Sequence, residues 1–125
     1  MKTPLTEQEI HNLAMNFVGE ELEERGFEFL DVNSTLKKNP QFVCVDKNNQ
    51  RFFVIIKAVK LPANPHNYDV VWMETFKKHA YENDAKVLFA GVGLGNQDGE
   101  DLPLYLDEEY LLEYNGIQVV ETNLN

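Results

Sequence analysis

Residues 39–60 read NPQFVCVDKNNQRFFVIIKAVK. Two runs rich in β-branched and aromatic residues, 41–46 and 51–59, flank Lys47-Asn48-Asn49-Gln50, whose composition suits a hairpin turn. Side chains alternate across a strand. Phe52, Val54, Ile56 and Ala58 therefore face one way, and Phe53, Ile55, Lys57 and Val59 face the other. Both sets are apolar apart from Lys57, which predicts a central strand covered on both sides.

Working outward toward the N-terminus, residues 33–40 form a polar turn and Phe27–Val32 (FEFLDV) has the composition of a short strand. Before it, Thr6 and Glu9 have the spacing of a capping box, with Leu5 and Ile10 placed as a hydrophobic staple. Ile10, Leu13, Ala14, Phe17, Val18 and Leu22 recur every three or four residues, which predicts an amphipathic helix over 7–25 closed by Gly26. His11, beside the Ile10 stripe, is expected at the surface.

Toward the C-terminus, Pro62 and Pro65 mark residues 61–69 as a loop. Helical spacing returns over 70–82, with Val71 or Trp72, Phe76, His79 and Ala80 as the expected inward set. Residues 85–92 (AKVLFAGV) have strand length, and 91–101 (GVGLGNQDGED) read as a glycine-rich acidic loop. A short helix is expected from 107 or 108 to 114, stopped by Asn115-Gly116, and a last strand over 117–121. This order predicts an α/β fold: one domain over residues 1–125, with a mixed central sheet and helices on both faces.

Composition narrows the function. The chain has 125 residues, 43% of them apolar, enough to close a core without staples. Its net charge of −10 disfavours nucleic acid and an anionic membrane surface alike. The eleven Lys and Arg all lie at or before Lys86, and Lys37, Lys38, Lys47, Arg51, Lys57 and Lys60 cluster in sequence. No apolar run approaches the roughly 20 residues of a membrane span. MKTPLTEQEI lacks a signal-peptide core, so a cytoplasmic location is expected. The single cysteine, Cys44, falls within a strand and reads as a small core hydrophobe in a reducing compartment.

Leu22, Gly26, Phe27, Leu30 and Asn33, followed by Phe53-Val54-Ile55-Ile56-Lys57, give the chain its family likeness. The pattern resembles the PD-(D/E)xK nuclease superfamily, and within it small bacterial proteins akin to archaeal Holliday-junction resolvases. That resemblance implies a restriction-endonuclease-like three-layer core. It also implies a site in which carboxylates hold magnesium or manganese against the scissile phosphate while a lysine orients or activates water. Carried over residue by residue, the catalytic aspartate falls on Gln41, the metal-binding glutamate on Ile55 and the helix glutamate near Met15. Lys57 alone is retained, so the resemblance implies a degenerate active site with no metal and no cofactor. Asp31, Asp46, Glu20 and Glu21 are the acids that could substitute. By itself, a lysine near a strand end can lay its stem along apolar neighbours and keep its amine in water.

Weaker constellations remain. His66-x-x-Asp69 has ligand-type residues, His79 has no metal-ligand partner nearby, and Asp98, Glu100 and Asp101 lack EF-hand spacing. Trp72, Phe76, Tyr81, Tyr105, Tyr110 and Tyr114, with Glu108, Glu109 and Glu113 nearby, suit a protein interface or self-association as a homodimer. Three functions follow as expectations. The first is a noncatalytic binding or assembly module, and the alternative is a metal-dependent nuclease with relocated acids. The third is a small-ligand site around Lys57 and Gln41.

Overall fold

A computed structural model of the protein describes residues 3–120. Helix α1 (Glu7–Glu24) begins where the sequence places it: Thr6 Oγ1 accepts from Glu9 N–H at 3.1 Å, and Glu9 Oε1 accepts from Thr6 N–H at 2.9 Å. Strand β1 (Glu28–Val32) leads to the hairpin of β2 (Phe42–Val45) and β3 (Arg51–Lys60). Helix α2 (Val70–Glu82) then crosses to β4 (Ala85–Asn96), which runs parallel to β3. Strands β5 (Tyr110–Tyr114) and β6 (Gln118–Val120) both pair antiparallel with β4. The result is a six-stranded mixed sheet in the order β1-β2-β3-β4-β5, with β6 also on β4. The far end of the expected last strand, Glu121, lies outside the described residues.

The alternation of β3 sorts the core into two layers. Phe52, Val54 and Ile56 pack with Ala14, Met15, Val18 and Leu22 of α1 on one face. Phe53 and Ile55 pack with Met73, Phe76 and Ala80 of α2 on the other. Each fully buried side chain of this size contributes about 1.5–3 kcal/mol of transfer free energy, so a central strand apolar on both faces settles between two helices. Cys44 is wholly buried, and that burial, with Asp46 nearby, pushes its thiol pKa up to about 11.

Four expectations need correction. The stretch Gly91–Asn96 is strand, the second half of β4. Gly91, Gly93 and Gly95 sit on one face at strand period, and the 61–65 loop lies directly on them. A Cβ at Gly91 would stand 2.0 Å from the Pro65 carbonyl oxygen, and one at Gly93 2.6 Å from Leu61 Cδ2. These glycines admit another backbone rather than loosening their own.

The expected helix over 107–114 is β5, because the extended β4 supplies an edge against which Tyr110–Tyr114 pair. Five residues cannot repay helix nucleation, and Asp107 at φ 64° breaks the chain direction just before them. The buried set of α2 is Met73, Phe76, Lys77 and Ala80, with Val71, Trp72 and His79 outside it. The helix is rotated so that the exposed Trp72 stacks on the buried Phe76, ring centroids 5.2 Å apart. His11 is buried, only 2% exposed, because residues 33–40 fold back over that turn of α1.

Candidate ligand-binding site

Strand β3 outruns its partner. Pairing with β2 ends at Phe42↔Val54, whereas pairing with β4 continues to Lys60↔Leu94. Ile55–Lys60 therefore have a β-neighbour on one side alone. At the split, Gln41 N–H still donates to Val54 O at 3.0 Å, and the Gln41 side chain continues the pattern. Its Oε1 accepts from Ile56 N–H at 2.9 Å and its Nε2 donates to Lys38 O at 3.0 Å, with the residue 1% exposed. A buried N–H without an acceptor costs about 1–3 kcal/mol, so the amide replaces a missing ladder bond.

Residues 33–40 bridge the gap and are pinned from α1. Gln8 Nε2 donates to Ser34 O at 2.6 Å, and Gln8 Oε1 accepts from Leu36 N–H at 2.9 Å. On the other side the 61–69 loop, seated on the glycines of β4, delivers Asn67, Tyr68 and Asp69. Asn67 O accepts from Lys57 Nζ at 2.5 Å. Asp69 caps α2, its Oδ1 accepting from Trp72 N–H at 3.0 Å. Tyr68 packs edge-on against Phe89, 4.9 Å between centroids.

These elements line a solvent-open cavity of about 420 Å³, within the usual range of small-ligand sites. Gln41, Ile55 and Lys57, the three positions singled out in the sequence, all line it. So do His11, Tyr68 and Phe89, which the sequence did not assign to a site, and Lys37, Asp69 and Trp72, which it placed in other groupings. Met15 belongs to the α1-side core, and it is His11, one turn earlier on the same helix stripe, that reaches the cavity. The Gln8–His11–Met15 spacing carries that information once the helix is known to face the 33–40 turn. Burial lowers the His11 pKa below the ordinary imidazole value, and its Nε2 has no hydrogen-bond partner among the described residues.

The remaining candidates lie elsewhere. Asp46 closes the hairpin, its Oδ1 accepting from Asn48 and Gln50 N–H at 2.9 Å each. Glu21 pairs with Arg25 at 2.8 Å and accepts from Ile117 N–H at 3.3 Å, while Glu20 is exposed. Asp31 Oδ1 accepts from its neighbour Val32 N–H at 3.0 Å. His66 Nε2 lies 3.1 Å from Glu113 Oε2, whereas Asp69 Oδ1 is engaged at the start of α2. The basic residues of 37–60 do not form one patch: Lys60 Nζ donates to Glu100 O, and Arg51 stands at the far end of β3. Of the aromatics grouped as an interface, Phe76 is buried, Tyr105, Tyr110 and Tyr114 are half-buried, and Trp72 and Tyr81 are exposed. Burial beside the Glu21 carboxylate raises the pKa of the Tyr114 hydroxyl. Among the described residues no three His, Cys, Asp or Glu side chains converge as a metal site, and no helix is long and apolar enough to cross a membrane.

Fold and cavity together define a mixed α/β domain with one helix on each face of its sheet and a small-ligand-sized cavity where that sheet splits. The chain matches the family described as a domain of unknown function (DUF8840) over residues 8–120 and belongs to it. No curated protein and no solved structure gives a significant match.

Proposed function

We propose that this domain is a noncatalytic binding module on a restriction-endonuclease-like scaffold, its nuclease-type site turned into a ligand cavity. One observation carries the reading: Gln41, Ile55 and Lys57, where the resemblance puts two metal-binding acids and a lysine, line a single cavity. The residues present do not fit a magnesium or manganese ion, which takes several oxygen ligands including carboxylates. Asp69 is the one carboxylate among the described lining residues, and its Oδ1 is bonded to the α2 N-terminus. Gln41 has both ends of its amide engaged, and Ile55 offers no donor atom. The acids that could have moved in lie at the hairpin tip, on β1 and in the last turns of α1.

The test is direct. Purified protein incubated with linear and branched DNA and either magnesium or manganese should give no cleavage above buffer. Cleavage that needs the divalent ion and disappears in Lys57→Ala would overturn the proposal in favour of the nuclease alternative.

A second reading, self-association, draws support from edge strand β5, where consecutive Leu111 and Leu112 are 50% and 44% exposed. An apolar edge invites another strand. Sedimentation should then show a concentration-dependent dimer that Leu112→Lys weakens, and a monomer at all concentrations would remove this reading.

A further inference from the structure

We infer that the cavity takes a small aromatic carboxylate: a flat apolar body bearing one acidic group. The inference rests on the reading of the cavity as a noncatalytic binding site and names what it binds. The apolar part follows from the walls. Ile55 and Phe89 are buried side chains, and Tyr68 and Trp72 add two aromatic surfaces, so the wall offered to an occupant is largely apolar.

The single negative charge follows from the ionisable groups on those walls. Lys57 and Lys37 are cationic and Asp69 is anionic, with His11 held toward its neutral form, which leaves a local excess of one positive charge on a chain of net −10. A lysine ammonium has three donors, and Asn67 O takes one of those on Lys57. A carboxylate accepting from the same ammonium would give a charge-assisted hydrogen bond. Inorganic phosphate fits worse, because it brings more charge and no apolar surface to cover the aromatic walls.

Two independent features of one cavity, its aromatic walls and its local positive charge, thus specify one chemical class.

The experiment is calorimetric titration of the full chain with benzoate, 4-hydroxybenzoate and indole-3-carboxylate, against benzamide, acetate and inorganic phosphate. Saturable binding is expected for at least one aromatic acid and at least tenfold weaker binding for benzamide and acetate. Lys57→Met should weaken the acid tenfold or more, while Lys60→Met, outside the cavity, leaves it unchanged. Circular dichroism melts would confirm that each variant is folded. Absence of binding by every aromatic acid, or equal binding of acid and amide, overturns the inference. Binding of phosphate alone overturns it too but leaves the noncatalytic reading standing, whereas metal-dependent DNA cleavage overturns both.

Discussion

The two halves of β3 meet the same backbone requirement in different ways. From Arg51 to Val54 the strand lies between β2 and β4, and Phe52, Phe53 and Val54 are buried in ordinary sheet packing. From Ile55 to Lys60 the strand has β4 alone, a glutamine side chain supplies the acceptor that β2 no longer provides, and a cavity opens. A hydrogen-bond ladder leaves little room for a ligand, and a split ladder makes room provided its loose polar groups are satisfied. The position at which the nuclease resemblance expects a catalytic acid is thus occupied by a group with a structural task.

The largest effect should come from Gly91→Val. A side chain there meets the Pro65 carbonyl oxygen at 2.0 Å, and backbone cannot give way as a flexible side chain would. The 61–69 loop would have to lift from β4, taking Asn67, Tyr68 and Asp69 with it. A loss of about 3 kcal/mol in urea denaturation is expected, at the upper end for overpacking. Gly99→Ala, whose added carbon meets nothing closer than Leu102 at 3.6 Å, should change stability by less than about 0.5 kcal/mol. Equal tolerance at both glycines would mean that the loop does not sit on the strand.

Gln41→Leu comes next. It keeps comparable bulk but strands the Ile56 N–H and the Lys38 carbonyl, so a cost of about 1–3 kcal/mol should appear in the same measurement. Hydrogen exchange sharpens the point: the Ile56 amide should lose protection while Val54, still within the ladder, keeps it. A silent substitution would dissolve the contrast between the two halves of the strand.

Much of this arrangement was legible in the sequence, and the failures have physical causes. The hairpin, α1 and both faces of β3 are written in periods that only one structure satisfies, and Thr6 and Glu9 mark a helix start by themselves. The glycines of β4 misled because glycine in isolation signals flexibility. Their period of two was visible, but the Pro65 loop that requires them is distant in sequence. Tyr110–Tyr114 are too few to distinguish a period of 3.6 from a period of 2, so their conformation depended on β4 offering an edge. In the site, Gln41, Ile55 and Lys57 were singled out by the nuclease resemblance, and all three line the cavity. His11 was not, since its burial depends on Gln8 reaching across to Ser34 and Leu36.

His11 gives a pH-dependent prediction of smaller size. Burial lowers its folded-state pKa below the ordinary 6.5, so the unfolded chain binds a proton more readily than the folded one. Its effect on stability is absent above about pH 7 and grows unfavourable as pH falls below 6.5 toward the folded pKa. His11→Phe should therefore melt at a similar or higher temperature at pH 7.5, and its advantage over the parent should widen toward pH 5.5. A difference that stays constant across that range would show that the ring titrates freely in the fold.

The smallest expected effect on stability belongs to Lys57→Met, and it is the most informative about function. The lysine is half-buried with its ammonium on an exposed carbonyl, and methionine can retain most of the stem's contacts with its neighbours. The loss should be below about 1 kcal/mol, since a single solvent-accessible hydrogen bond contributes little net. If so, nothing in the fold requires a cation between Ile55 and the aromatic wall. Its presence would then have to be explained by what enters the cavity. A loss of several kcal/mol would reverse that reasoning: Lys57 would be a fastener for the 61–69 loop, and the charge in the cavity would be a by-product of holding Asn67 in place.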